Sequence, residues 1–543
     1  MERVHTGRPD GAHPWSATRW ALVLGVALAV AYLRWSPAAP DLAAQVARSS
    51  VVRESGVVSW WTGWFGGVSL PTYSVLAPAS MAAIGVRASG ALAAVAGAVG
   101  ASVLLRDAPR PRAGAVAFAV AFAADLVAGR VTFAIGLAVA TWALVALRAR
   151  LGWVAAALSV AAYLASPLAG LFLGLVLLAV VAVDRTRRAA AAVSAGCLVA
   201  VGGTMALLFP GTGVMPFTVV NAIPPAVCCV VVALVCRVRL VRAAALAVLI
   251  SLPVFLLVPG AVGGNIGRLA WVGAGPVLVA CSRLSWRRTL ALLLVVVAWP
   301  VSDLAHQLFA SSNPSAAQAF YEPLRAELHA VQAAAGMPAR GERVEVVDTV
   351  NHWASAYLSG SVSLARGWDR QVDVADNPLF YTDGALTPES YRGWLGQLAV
   401  GWVALPDGKL DFASADEGRL VAAGLPYLRL VWSDRNWQLF QVVDATPLAN
   451  GATVTAVTPS SVTLATTAAG TVRLRLRWSS YLTVVRPGTR EQLLACVSDD
   501  GGWTRIDVPR AESFSVVSQF NPTARLRRSD PDCPSDVAIA TTG

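Results

Sequence analysis

The sequence predicts a polytopic α-helical membrane protein that ends in an α/β module and a β-sandwich. Three observations lead there. Of 543 residues, 56% are hydrophobic and only 14% are charged, whereas an ordinary soluble domain carries about 25% charge. The mean hydropathy is +0.58. The charge is also segregated. The first 305 residues hold 23 arginines and 8 acids, net +15, and the last 238 hold 20 basic and 24 acidic residues, net −4. A cytosolic enzyme throughout and a disordered chain are both excluded.

Residues 1–16 read as a cytoplasmic tail and 17–306 as the membrane domain, with a first outer loop at 36–71. A transmembrane helix needs about 20 mostly apolar residues. Such runs lie near 17–35, 88–105, 113–128, 131–147, 152–166, 168–184, 189–208, 217–236, 243–258, 265–281 and 289–305. A further run, 72–86, contains Pro78 and reads as re-entrant or interfacial. The first run is read as a signal anchor, since ten more follow it.

Cytoplasmic loops collect arginine. Arg106, Arg110 and Arg112 fall in one loop, Arg148 and Arg150 in the next such loop, then Arg185, Arg187 and Arg188. Arg237, Arg239 and Arg242 follow, and Arg283, Arg287 and Arg288 close the series. After Arg87, the alternate loops lack basic residues except Arg130 and Arg268 at their edges. With the N-terminus inside, eleven crossings place the tail outside the cytoplasmic membrane. The basic balance therefore describes topology, and nucleic acid is not an expected partner.

Beyond residue 311 the character changes. Helical and strand-like segments alternate over 311–443, which reads as a small α/β module. Residues 444–543 read as a β-sandwich, because segments at 454–457, 461–466, 471–478, 493–497 and 513–517 alternate with period two. Cys496 and Cys533 are the two cysteines of this exported part, a pairing expected to form a disulfide. The tail has no paired-histidine or CxxC metal motif, no GxSxG, no P-loop and no dinucleotide fingerprint.

Acids are scarce enough in the membrane half to be informative. Ionisable groups there are costly and tend to be functional. Glu2 and Asp10 lie in the N-terminal tail, Asp107 and Asp184 sit beside cytoplasmic arginines, and Asp303 lies near the end of the last run. Asp41, Glu54 and Asp125 remain, all on the outer side. Asp41 opens a helical stretch, so simple capping is the alternative to a chemical role. The stretch Trp60, Trp61, Trp64, Phe65 to Tyr73 supplies aromatic rings suited to the headgroup level or to sugar faces. Arg366, Trp368 and Arg370 form a second charged and aromatic group in the tail, with a salt-bridged structural corner as the alternative.

A first span followed by an outer loop that opens on an acid, a juxtamembrane helix and a Gly/Trp/Pro-rich stretch resembles the GT-C superfamily of integral-membrane glycosyltransferases. The likeness is to actinobacterial multi-pass members with an extracytoplasmic C-terminal domain. The motif-level match covers residues 41–73, and Asp41 stands alone where the family often shows paired acids. The resemblance implies a GT-C-like fold and transfer of a sugar from a polyprenyl-phosphate donor to a cell-envelope glycan or glycolipid acceptor. Asp41 is then the expected general base. Arg130 and Arg268 are the expected ligands of the donor phosphate, supported by Glu54 and Asp125. Trp60, Trp61, Trp64, Tyr73, Arg366, Trp368 and Arg370 are the expected sugar and acceptor contacts. No cofactor is certain, and a divalent metal at Asp41 and Asp125 is an open alternative. Membrane lipid is an expected partner. Two other function classes fit the composition: a non-catalytic scaffold or sensor that binds envelope glycan, and a lipid-linked sugar transporter.

Overall fold

The structure, a computed structural model, describes residues 15–211, 213–493 and 495–522. Among them the first part holds thirteen α-helices: α1 Trp15–Trp35, α2 Pro40–Ser55, α3 Ala77–Ile84, α4 Val86–Leu104, α5 Pro111–Val127, α6 Val131–Arg148, α7 Gly152–Ala165, α8 Pro167–Val183, α9 Arg188–Leu208, α10 Val219–Val235, α11 Arg239–Leu257, α12 Arg268–Cys281 and α13 Trp286–Ser311. Every one of the eleven expected apolar runs is a helix. Six of them (α1, α4, α6, α9, α11 and α13) are long and apolar enough to cross a membrane, and α7, α8 and α10 are shorter apolar helices. The bundle is that of a membrane protein. The 72–86 run forms only the short helix α3, which Gly85 ends at φ 90°.

The helix boundaries follow local chemistry. Proline occupies the first turn of α2, α5 and α8, where its missing N–H is not needed. Ser166 caps α8 through the Ala169 amide. Helices α4 and α6 are largely buried, whereas α9, α11 and α13 expose most of their apolar surface, as lipid-facing helices do.

Helix α2 departs from the bundle and lies between it and the tail. The tail begins with α14 Gln318–Ala334, whose apolar face carries Phe320, Tyr321, Leu324 and Leu328. A five-stranded sheet follows in the order β2-β1-β3-β5-β4, from β1 Arg343–Val346, β2 Ser363–Leu364, β3 Val400–Pro406, β4 Leu428–Ser433 and β5 Trp437–Val442. The β1–β2 and β1–β3 pairs are parallel and the other two pairs antiparallel. Helices α15 Ala354–Tyr357, α16 Arg370–Asp376, α17 Pro388–Gln397 and α18 Ala415–Ala422 connect these strands.

Two four-stranded sheets complete the described chain, ordered β10-β13-β8-β7 and β11-β12-β9-β6. Their strands are β6 Ala449–Asn450, β7 Thr453–Thr458, β8 Ser461–Ala465, β9 Gly470–Arg477, β10 Leu482–Val485, β11 Cys496–Asp500, β12 Trp503–Val508 and β13 Ser513–Ser518. The expected strand near 493–497 starts three residues later, and β6, β10 and β12 are additional. Cys533, the expected partner of Cys496, lies outside the described residues, as do residues 1–14.

Candidate active site

Three residues on one face of α2 build the centre of the site: Asp41, Gln45 and Arg48, spaced by four and three positions. Gln45 is buried and fastens α2 to the turn between α5 and α6. Its amide nitrogen donates to the Asp41 carbonyl at 2.9 Å and to the Gly129 carbonyl, and its amide oxygen accepts from the Thr132 N–H at 2.5 Å. Gly129 permits this approach. It has φ 81°, and a Cβ there would lie 2.8 Å from the Leu42 nitrogen.

The result is a convergence of charged groups that are far apart in the chain. The Asp41 carboxylate lies 3.2 Å from Arg268 Nη2 and 3.7 Å from Arg130 Nε. Arg130 also approaches Asp303 at 2.6 Å and Asp125 at 3.8 Å, and it sits over the Trp271 ring at 4.9 Å. Four expected residues, Asp41, Asp125, Arg130 and Arg268, therefore meet. Asp303 is a fifth member. It was legible as the only acid in the long apolar helix α13, although its place near the end of the run argued against it.

Exposure separates their roles. Asp125 is fully buried and Arg130 is 7% exposed, whereas Asp41 and Arg268 remain 27% and 24% exposed. Arg130 faces three carboxylates and is enclosed, and Arg268 is the more open cation of the two. Among the described residues no group of three or more His, Cys, Asp or Glu side chains is arranged to hold a metal ion.

Arg48, about two turns along α2 from Asp41, joins this cluster to the tail. It pairs with Asp369 at 2.6 Å and lies over the Tyr73 ring at 3.8 Å. Burial raises the Asp369 carboxyl against the pull of Arg48. The Tyr73 hydroxyl is within electrostatic reach of Arg48, Asp41, Arg268 and Asp369. Asp41 and the tail thus share one end of the bundle. Glu54 does not join the cluster. It lies thirteen residues along α2 from Asp41, about 20 Å at 1.5 Å per residue, and pairs with Arg340 of the tail at 2.9 Å.

The aromatic stretch has a different use from the one its composition suggests. Trp61 and Trp64 are buried at 1% and 0% exposure, so they offer no face to a sugar. The segment is wedged between the tail sheets. The Leu364 N–H donates to the Gly63 carbonyl at 2.9 Å, the Thr62 N–H to Pro459 at 2.9 Å and the Arg477 N–H to Gly66 at 2.7 Å. Gly367 has no room for a Cβ because the Trp64 ring fills that space. Trp60 and Tyr73 are half-buried.

In the tail, Arg366 is enclosed between Glu345, at 2.5 Å, and Glu417, both 0% exposed. The three side chains form a buried ion-paired group. Burial raises the Glu345 carboxyl well above the usual range against the pull of Arg366. Arg370 binds Asp411 at 2.9 Å and the Tyr381 hydroxyl at 3.0 Å. Trp368 is stacked on His352 at 3.4 Å, with Arg370 4.8 Å from its ring centre. His352 in turn contacts Asp348 at 2.5 Å. His352 also lies 3.8 Å from Asp411, and this Asp348–His352–Asp411 group is not legible in the sequence, because its members are brought together only by loops around the sheet.

The fold and the site define a polytopic helical membrane protein with an acid–arginine cluster where its bundle meets a sheet-containing tail. No protein-family model and no curated protein matches the chain. Two cryo-EM structures of a mutant arabinofuranosyltransferase AftD from mycobacteria are similar to it. Each is 13% identical, with TM-scores of 0.42 and 0.43 over 92% and 93% of this chain. The chain spans 61% of the length of those proteins.

Proposed function

We propose that the chain is a GT-C-like glycosyltransferase that moves a sugar from a polyprenyl-phosphate donor to a cell-envelope acceptor at the outer face of the cytoplasmic membrane. The observation that carries this reading is the position of Asp41. It is a partly exposed carboxylate placed between Arg268 and Arg130 at the tail-facing end of an apolar bundle.

The acceptor hydroxyl attacks the anomeric carbon, and its proton passes to the Asp41 carboxylate. The bond from the anomeric carbon to the phosphate oxygen breaks, and polyprenyl phosphate leaves. Arg268 neutralises the charge that develops on that phosphate. Arg130 is a positioning residue that holds Asp41 through its ties to Asp125 and Asp303. Tyr73, beside Arg48 and the Asp41 cluster, borders the space where sugar would lie, and the tail supplies the acceptor side through Arg370 and Trp368.

Transfer by the full chain in proteoliposomes, with a polyprenyl-phosphate sugar as donor, tests the reading. Asp41→Asn lowers transfer by about 10²–10⁴-fold while the protein still inserts and still binds donor. Full transfer by that variant removes Asp41 as the base.

A further inference from the structure

A second feature of the bundle lies away from the tail. A largely apolar cavity of about 620 Å³ runs between α4, α5, α6, α8, α10, α11 and α12. Its wall includes Phe133 at one end of α6 and Leu147 near the other, about 21 Å apart at 1.5 Å per residue. The Phe133 end lies beneath the Asp41 cluster. The opposite mouth is lined by Arg106, Arg148 and Arg187.

Helices enclosing an apolar void of this size lose packing on every wall, and water gains no partners in it. Its volume falls in the range of small-molecule sites, about 300–1,000 Å³. Its mouth is cationic. Arg106 and Arg148 share Asp107, and Arg187 pairs with Asp184 at 2.6 Å, which leaves three arginines against two aspartates, and Arg187 keeps a buried Nε without a hydrogen-bond partner. The loops of that face, from Arg106 to Arg288, carry fourteen arginines against those two aspartates. Gly273 adds a separate observation: it lines the cavity, and a Cβ built on it meets nothing within 4 Å.

We propose that this cavity is a binding site for an anionic glycerophospholipid from the arginine-side leaflet. One acyl chain occupies the apolar shaft and its phosphate sits among Arg106, Arg148 and Arg187. The chain end then closes the floor under the carboxylate–arginine cluster. The site is distinct from the donor position, whose phosphate would lie at Arg268 on the opposite face.

The full-length protein, extracted in mild detergent, is analysed by native mass spectrometry and then titrated with phosphatidylglycerol or phosphatidylcholine. The wild type retains about one anionic phospholipid and prefers phosphatidylglycerol. Gly273→Phe, which fills the shaft, retains at least tenfold less at an unchanged elution volume. The pair Arg106→Gln and Arg187→Gln keeps the lipid but loses the preference for phosphatidylglycerol by several-fold. A wild type that retains no phospholipid, a retained polyprenyl phosphate in its place, or a Gly273→Phe protein that retains as much as wild type overturns the proposal. None of these measurements depends on sugar transfer, so this site and the proposed reaction stand or fall separately.

Discussion

Arg130 and Asp303 meet at 2.6 Å although 173 residues separate them in the chain. This contact fastens the last long helix of the bundle to the turn that carries Gly129, and so to the helix that presents Asp41. Losing it leaves Arg130 enclosed with weaker partners. Asp303→Asn is expected to lower transfer while leaving donor affinity near wild type, since the residue positions the base and does not touch the donor. A kcat-against-KM split in the proteoliposome assay measures this, and a loss confined to KM contradicts it.

Gln45 and Gly129 fix the register of α2 on the bundle. Gln45→Ala leaves the Gly129 carbonyl and the Thr132 amide without their partner, at a cost of about 1–3 kcal/mol. Gly129→Ala adds a Cβ against Leu42 at a positive φ and is expected to cost a similar amount, about 1–3 kcal/mol. Both should depress the thermal unfolding midpoint of the detergent-solubilised chain and shift Asp41 away from Arg268.

The Arg48–Asp369 pair is buried, with side-chain exposures of 4% and 9%. Removing one partner of such a pair costs about 3–5 kcal/mol. Asp369→Ala should therefore loosen the tail from the bundle, seen as faster proteolysis near residue 311. The double replacement Arg48→Met with Asp369→Leu should recover much of that stability, because neither charge is then left buried alone. Equal damage from the single and double variants counts against the pair as the docking contact.

Glu345 gives a pH dependence whose sign follows from its burial. Its carboxyl is raised, so between the unfolded value and the raised folded value the folded state binds the extra proton. The stabilisation is complete below the unfolded carboxyl pKa and is lost as pH rises through the folded one. Glu345→Gln keeps the shape without the titration. The difference in unfolding midpoint between wild type and Glu345→Gln should grow as pH rises from acidic values, with the variant the steadier of the two. A constant offset across pH indicates that Glu345 does not titrate in this way.

Topology is open to direct measurement. An enzymatic reporter fused after residue 310 should be active only outside the cytoplasm. Activity inside places Asp41 and the tail, which share one end of the bundle, on the wrong face for an outer-leaflet donor.

The sequence by itself determined the class of architecture and the short set of acids worth following. Hydropathy and arginine spacing are properties of consecutive residues, so the helical runs of the apolar half, the signal of a separate tail and most of its strands could be read directly. Scarcity of charge in an apolar half singled out Asp41, Asp125, Arg130 and Arg268, because each ionised group there needs a partner. Tertiary structure decided which partners they have. Asp303 joins the cluster, Arg130 is enclosed by three acids and Arg268 is left open, while Glu54 turns away to Arg340. Composition alone made Trp61, Trp64 and Arg366 look like sugar contacts, yet packing buries all three between elements from distant parts of the chain. Exposure and ion pairing depend on which surfaces meet across hundreds of residues, and local pattern holds no record of that.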